Sequence, residues 1–118
     1  MFKINEDNSM EIIRGDTGSF DFTLTEKDEH GEETPYILVE GDVVKFTVKK
    51  STKDETALIQ KIGVASGEST VSYIIEPSDT EGLKYGNYYY DIEFEKYDGY
   101  VDTVIRPTRF VIEEEVTF

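Results

Sequence analysis

Apolar and polar residues alternate along most of the chain. Five segments place apolar side chains at every second position: Phe20, Phe22 and Leu24; Val44, Phe46 and Val48; Val71, Tyr73 and Ile75; Tyr88, Tyr90, Ile92 and Phe94; Phe110 and Ile112. This period is that of a β-strand with one buried face. Because a slip of one residue would expose each apolar set, we expect well-defined registers.

Turn-forming residues separate these segments. Asp98-Gly99 is the strongest hairpin signal and predicts a two-residue type I′ turn, with positive φ at both positions. Arg106-Pro107 interrupts the last alternating segment, and proline cannot donate to a strand ladder. We therefore expect a kink or an edge position there.

One stretch, from Pro77 to Gly82, has helical features. Ser78 followed by Glu81 fits a capping box, and Gly82 ends the turn. The pattern predicts seven or eight short strands and a single helical turn, which favours an antiparallel β-sandwich.

Tyr88 and the residues before it indicate a more specific kind of sandwich. Leu83, Gly86 and Tyr88 precede the longest alternating run and resemble the tyrosine corner of immunoglobulin-like sandwiches, where a Tyr hydroxyl bonds to upstream backbone. Tyr90 stands where an immunoglobulin domain has its second Cys, and the chain has no Cys and no Trp. The pattern predicts an immunoglobulin-like fold rather than an immunoglobulin domain; the alternative is that Tyr88 is an ordinary half-buried strand aromatic.

Composition favours one soluble domain over residues 1–118. The chain is 37% hydrophobic and contains no repeat or linker, so it can bury a core without disulfides. It has no apolar run of membrane-spanning length, and its N-terminus lacks the apolar core of a signal peptide. We expect a protein made in the cytoplasm that does not contact membranes.

The net charge of −14 restricts the partners. Such a chain repels nucleic-acid phosphate and anionic lipid, so direct nucleic-acid binding is not expected. Three uses of the charge remain open: solubility, docking on a basic partner, or imitation of nucleic acid.

Residues typical of catalysis are scarce. There is no cysteine, and His30 is the single histidine, which excludes a thiolate zinc site and a His pair for a metal. No serine lies in a Gly-x-Ser-x-Gly elbow, and no phosphate-binding loop is present. Carboxylates around residues 27–33 lack the spacing of a calcium loop. We expect no catalytic residue, cofactor or metal.

Arg14-Gly15-Asp16 matches the tripeptide that integrins bind, but each residue has a local role. Gly15 and Gly18 are expected to supply positive φ, and Asp16 can accept a bond from nearby backbone. The tripeptide is therefore interpreted as a bend that leads into a strand.

Four tyrosines are the most suggestive candidate contact residues: Tyr85, Tyr89, Tyr97 and Tyr100. They are expected to cluster on one sheet face or around the Asp98-Gly99 hairpin. Their amphipathic rings suit a protein interface, sugar stacking or a plain sheet surface, and these alternatives stay open. The terminal segment 109–118 is a second candidate contact.

Asp91, Glu93 and Glu95 form a candidate acidic face. On a strand they point to one side at roughly 6–7 Å spacing, which is close to that of successive phosphates. This spacing supports an alternative function, an acidic inhibitor of a host defence nuclease that imitates nucleic acid and binds a basic nucleic-acid-binding host protein.

Several segments of the chain match the sequence pattern of a known protein family. They are Ile13-x-Gly15-Asp16-Thr17 followed by Phe20-x-Phe22-x-Leu24, Gly31 with Leu38 to Phe46, Gly86-x-Tyr88-x-Tyr90-Asp91-Ile92, and Phe110-Val111-Ile112. Together they resemble the N-terminal domain of phage baseplate upper proteins from Gram-positive hosts. Most matched positions are strand and turn residues, and Gly-Asp-Thr before an alternating strand is the most distinctive piece.

The resemblance implies an immunoglobulin-like sandwich that docks onto the central ring of a phage tail tip. Family members continue into a helical linker and a C-terminal domain, which this sequence lacks, so we expect a tail or virion component rather than the complete adaptor. The resemblance further implies a non-enzymatic protein with other tail or baseplate proteins as partners. Its expected location is the host bacterial cytoplasm during assembly and then the virion. A carbohydrate-binding module is the remaining alternative.

Overall fold

A computed structural model describes residues 2–64 and 67–114. The described part contains ten strands and one helix: β1 Phe2–Ile4, β2 Met10–Ile13, β3 Gly18–Thr23, β4 Thr25–Lys27, β5 Glu33–Pro35, β6 Val43–Lys49, β7 Ile59–Gly63, β8 Thr70–Ile75, α1 Pro77–Glu81, β9 Gly86–Glu95 and β10 Val101–Glu113. The prediction of an all-β chain with one short helical turn is confirmed. The strand count exceeds seven or eight because β1, β4 and β5 have only three residues each, too few for a recognisable alternation.

Six strands form the main sheet, in the order β1-β2-β10-β9-β6-β7. Two smaller pairs, β3 with β8 and β4 with β5, complete the fold. Within the described residues, β2 and β10 pair in parallel and every other pairing is antiparallel. The prediction of antiparallel strands throughout is therefore wrong for β2, because an alternating pattern has the same period in both directions.

The core lies between the main sheet and the ribbon, our name for the β3–β8 pair. The alternating residues of β6, β8 and β9 are buried, as the sequence pattern predicted. Phe46 of β6 is fully buried, and its ring centroid lies 5.2 Å from that of Phe20 and 5.4 Å from that of Tyr90. The contact with Phe20 joins the two layers, whereas Tyr90 lies in the same sheet as Phe46.

The main sheet curls until both of its edge strands reach the ribbon. A Cβ added to Gly18 of β3 would lie 2.7 Å from the ring of Phe2 in β1. At the other edge, a Cβ on Gly63 of β7 would lie 2.9 Å from Val71 Cβ in β8. The expected positive φ of Gly18 is wrong; glycine is needed there because the two strands approach closely.

Tyr88 makes the bond predicted for a tyrosine corner. It is buried, and its hydroxyl donates to the Lys84 carbonyl at 2.7 Å. The neighbouring inward residue, Tyr90, is also buried, and its hydroxyl donates to the Asn8 carbonyl. The two tyrosines thereby tie the start of β9 to the segments around it.

The helix lies where the sequence predicted it but is capped differently. Glu76 is the N-cap, and its backbone N–H donates to the Asp79 carboxylate at 2.7 Å. The predicted box between Ser78 and Glu81 is wrong because Pro77 takes the first helical position, which places the cap one residue before it. No helix in the described part of the chain is long and apolar enough to cross a membrane.

The β9–β10 hairpin closes through a longer loop than predicted. The Lys96 N–H donates to the Tyr100 carbonyl at 2.8 Å, and the Gly99 N–H donates to the Lys96 carbonyl at 2.9 Å. Gly99 has φ +92° and Asp98 does not have positive φ. The loop is a three-residue turn with Gly99 at a bulge, and the two-residue type I′ prediction is wrong. The register of β10 shifts between Ile105 and Thr108, which agrees with the kink or edge position predicted at Arg106-Pro107.

Candidate functional site

The four candidate tyrosines are spread along β9 rather than clustered. Tyr85 precedes the first residue of β9, Tyr89 lies within it, and Tyr97 and Tyr100 follow its last residue. The ten residues of β9 span about 30 Å at the rise of an extended strand. The fold therefore brings only Tyr97 and Tyr100 together, and the expected cluster of all four is wrong.

Tyr85 belongs to the turn at Arg14-Gly15-Asp16. The Arg14 guanidinium carbon lies 4.4 Å from the centre of the Tyr85 ring, and Arg14 donates to the Tyr85 hydroxyl at 2.9 Å. Gly15 has φ +87° and donates its N–H to the Thr80 hydroxyl at 2.8 Å, while the Asp16 N–H donates to the Ile13 carbonyl at 3.0 Å. The interpretation of the tripeptide as a bend is confirmed.

At the other end of β9, loop 36–42 meets the hairpin loop 96–100, and we call these two loops the hairpin end. Buried Asp42 joins them. Its carboxylate accepts the Tyr97 N–H at 2.9 Å, the Val39 N–H at 3.0 Å and the Tyr36 hydroxyl at 3.1 Å. Gly41, with φ +95°, leaves room for Tyr97, whose Cβ would lie 2.8 Å from an added Cβ. The two loops are thereby held as one unit.

The ionisation of Asp42 and Tyr36 follows from this arrangement. Burial opposes the charge on Asp42, but the bonds from the Val39 and Tyr97 N–H groups and the Tyr36 hydroxyl outweigh it, so the pKa of Asp42 is lowered. Burial, with the bond to Asp42, raises the pKa of Tyr36 to about 12. Asp42 is an anion and Tyr36 a neutral donor at neutral pH.

Sequence reasoning missed the role of Asp42. Gly41-Asp42 is recognisable as a chain reversal before an alternating strand. No local signal, however, links Asp42 to Tyr97, because their hydrogen bond spans 55 positions of the chain.

The hairpin end presents apolar side chains to solvent. Five of the eleven exposed large hydrophobic residues in the described part of the chain lie on it or directly beside it: Ile37, Val39, Tyr97, Tyr100 and Val101. Tyr97 is 66% exposed and Tyr100 59% exposed. Single exposed apolar residues are ordinary, whereas several on one rigid pair of loops form a candidate contact surface.

The acidic face is present, but lysine side chains partly neutralise its negative charge. Asp91, Glu93 and Glu95 all lie on the outer side of β9, as predicted. On neighbouring β6, Lys45 pairs with Glu93 in register, and its Nζ lies 3.3 Å from the Glu95 carboxylate. Burial raises the pKa of Asp91, and Lys49 opposes that rise. The row is therefore less negative than its sequence indicates.

Tyr89 lies on this same outer face, opposite Lys49, and is separate from the hairpin end. It lines a small pocket beside Asp91 and Pro107. Tyr89 is therefore a residue of the charged outer face, between Lys49 of β6 and Arg109 of β10.

The remaining candidate segments form parts of the sheet and of an exposed hairpin. Residues 109–113 lie inside the main sheet between β2 and β9, so their backbone is already paired, and residues 115–118 lie outside the described residues. The acidic stretch 27–33 forms much of the exposed β4–β5 hairpin. Among the residues that the structure describes, no group of three or more His, Asp or Glu side chains is arranged to hold a metal ion.

Comparison with protein-family models, curated proteins and solved structures gave no match to this chain.

Proposed function

We propose that this chain is a non-enzymatic structural protein of a phage or prophage, a tail or baseplate assembly module that acts through protein–protein contacts at the hairpin end. The observation that carries the proposal is the exposed apolar surface on two loops that buried Asp42 holds together. A surface that is already ordered loses little conformational entropy on binding, which favours a stable contact.

The chemistry of the surface defines the partner. Exposed tyrosine and aliphatic side chains suit the desolvated centre of an interface, where aromatic residues contribute most of the binding energy. The net charge of −14 favours a partner with basic residues around that centre. The resemblance to baseplate upper proteins assigns this partner to the phage tail, with assembly in the bacterial cytoplasm and then residence in the virion.

The proposal includes a divergent immunoglobulin-like sandwich as the fold. Its support is the bond from the buried Tyr88 hydroxyl to the Lys84 carbonyl, a bond to upstream backbone of the kind that a tyrosine corner makes. Tyr90, in the position of the second Cys, fills the core between the two layers.

Particle composition tests the proposal. Phage particles purified from cells that express the chain from its natural locus should contain it. Presence of the chain in the cytoplasm of particle-producing cells, with none in the particles, would overturn the structural function.

Matched variants test the surface. Tyr97→Ala combined with Val39→Ser removes two exposed side chains and keeps both backbone N–H bonds to Asp42, so it should reduce incorporation into particles while leaving the fold intact. The control, Asp91→Asn with Glu93→Gln and Glu95→Gln, should have little effect. The reverse result would favour the nuclease inhibitor, since a nucleic-acid mimic depends on its carboxylates.

A further inference from the structure

A groove of about 290 Å³ lies between β4 and the β9–β10 hairpin. Its polar and aromatic lining includes Thr25, Glu26, Lys27, Tyr36, Tyr100 and Asp102. This volume is at the lower end of the range for small-molecule sites. The groove lies beside the apolar surface proposed above and differs from it in chemistry.

Two tyrosine rings give the groove an aromatic wall. Tyr36 is fixed, because its hydroxyl bonds to Asp42 and its ring packs edge-on against Phe94 at 5.3 Å. The Lys96 ammonium lies 5.2 Å from the Tyr36 centroid and 5.7 Å from that of Tyr100, and so it bridges the rings. Tyr100 remains 59% exposed and offers a ring face to a ligand.

Four polar side chains that line the groove have no partner within the described part of the protein. Within the residues that the structure describes, the side chains of Thr25, Glu26, Lys27 and Asp102 make no hydrogen bond or ion pair. They provide donors and acceptors at the rim of an otherwise apolar wall, which is the composition of a ligand site rather than of a packed core.

The charges in the groove balance, although the whole chain is strongly acidic. Two residues with carboxylates, Glu26 and Asp102, and two with ammonium groups, Lys27 and Lys96, line it. An anionic ligand would meet the carboxylates and a cationic ligand would meet the lysines. Hydroxyl groups both donate and accept, so a neutral polyol satisfies both kinds of group at once.

We propose that this groove binds a neutral saccharide. The apolar C–H face of a sugar ring packs on Tyr100, because those C–H groups complement the negative face of the aromatic ring. The sugar hydroxyls donate to Glu26 and Asp102 and accept from Lys27. Tyr100 borders both the groove and the assembly surface, whereas Val39 and Tyr97 of the assembly surface do not line the groove.

Saturation-transfer NMR on the full chain tests the proposal. The probes are glucose, galactose and N-acetylglucosamine as neutral sugars, with glucosamine as a cation and glucuronic acid as an anion. We expect transfer to the ring C–H protons of at least one neutral sugar and weaker transfer to both charged sugars. No transfer to any neutral sugar at millimolar concentration, or stronger transfer to a charged one, would overturn the proposal.

Two variants locate the site. Tyr100→Ala should lower the affinity about tenfold, since it removes the stacking surface, and Asp102→Ala should weaken binding by removing an acceptor. Tyr97→Ala is the matched control, because it removes an exposed ring from the same loop that does not line the groove. Equal affinities of the Tyr97→Ala and Tyr100→Ala variants would contradict the assignment.

An extended peptide is the competing occupant. A mixed peptide library screened against the same variants distinguishes it. Tyr100-dependent peptide binding, with no binding of neutral sugars, would assign the groove to peptides and reject the saccharide.

Discussion

At the scale of single residues, Asp42 has the greatest influence on the hairpin end, because one carboxylate satisfies donors from two loops. Its bonds to Val39 and Tyr97 orient the backbone beneath the exposed surface, and its bond to Tyr36 fixes one wall of the groove. Both proposed contacts therefore depend on a residue that touches neither partner.

Asp42→Asn should lower the free energy of unfolding by about 1–3 kcal/mol, the cost of leaving a buried polar group unsatisfied. The amide keeps one acceptor and places an NH₂ group against backbone donors. Urea denaturation measures the loss. Glu40→Gln, an exposed carboxylate two positions away, is the control and should leave the midpoint unchanged.

The stabilisation from Asp42 should depend on pH. Because the native pKa of Asp42 is lowered, its contribution is complete above the ordinary carboxyl pKa of 3.8 and is lost as the pH falls below that value through the native pKa. The difference in unfolding free energy between the parent and Asp42→Asn should be constant near neutrality and shrink in acid. A difference that stays constant down to pH 2 would contradict this assignment.

Tyr88→Phe should lower stability by about 0.5–1.5 kcal/mol, the net value of one hydrogen bond. Phenylalanine keeps the ring beneath the Lys50 ammonium, at 4.6 Å in the parent, so the variant removes only the bond to Lys84. Tyr89→Phe, on the outer face of the same strand, should be neutral. Identical midpoints for the two variants would show that the corner bond adds nothing.

At the scale of elements, the long strands were predictable and the short ones were not. Strands β6 and β9 each have three or more buried residues at alternate positions, so the residues that face the core follow from the pattern. Three-residue strands contain too few positions for a periodicity. The direction of β2 depends on its neighbour β10, which lies at the far end of the chain.

The loops and the candidate sites could likewise be predicted only in part from the sequence. The Asp98-Gly99 pair indicated a hairpin correctly, but its loop length depends on the Tyr97 N–H, which bonds to the distant Asp42. The outward direction of Asp91, Glu93 and Glu95 followed from the alternation, whereas the lysines opposite them depend on the β6–β9 register. Local patterns predict which way a side chain points; the partners it meets are set by pairing between distant segments.

Asp98→Gly should destabilise the hairpin by about 1 kcal/mol. Asp98 does not have positive φ, and its side chain accepts the Tyr100 N–H at 3.1 Å, so glycine removes a bond and adds freedom to the unfolded chain. Thermal denaturation detects the change. A two-residue type I′ turn would give the opposite sign, since both of its positions favour glycine.

At the scale of the whole molecule, the chain is elongated, with extents of 54 × 26 × 24 Å. Its radius of gyration is 15.3 Å, against about 13.5 Å for a compact domain of this length. The main sheet closes onto the ribbon at Gly18 and Gly63, and the two proposed contacts lie together at the hairpin end.

Gly18→Ala should cost about 1–3 kcal/mol, because the new methyl group overlaps the Phe2 ring. In a Phe2→Ala background the same change should cost much less, and this double-mutant cycle isolates the contact between β1 and β3. Gly82→Ala is the control, since nothing lies within 4 Å of its added Cβ and its φ is −87°. Equal costs in both backgrounds would contradict the close approach.

The parallel pairing of β2 with β10 also governs when the protein can fold during synthesis. Met10 pairs with Phe110, so β2 leaves the ribosome well before the strand that it pairs with. Until then the edge of β2 and the apolar face beneath it lack their cover, and the nascent chain exposes surface that chaperones recognise. Such distant pairings place folding on a timescale of about milliseconds to seconds. The main sheet can therefore be completed only once β10 has been synthesised.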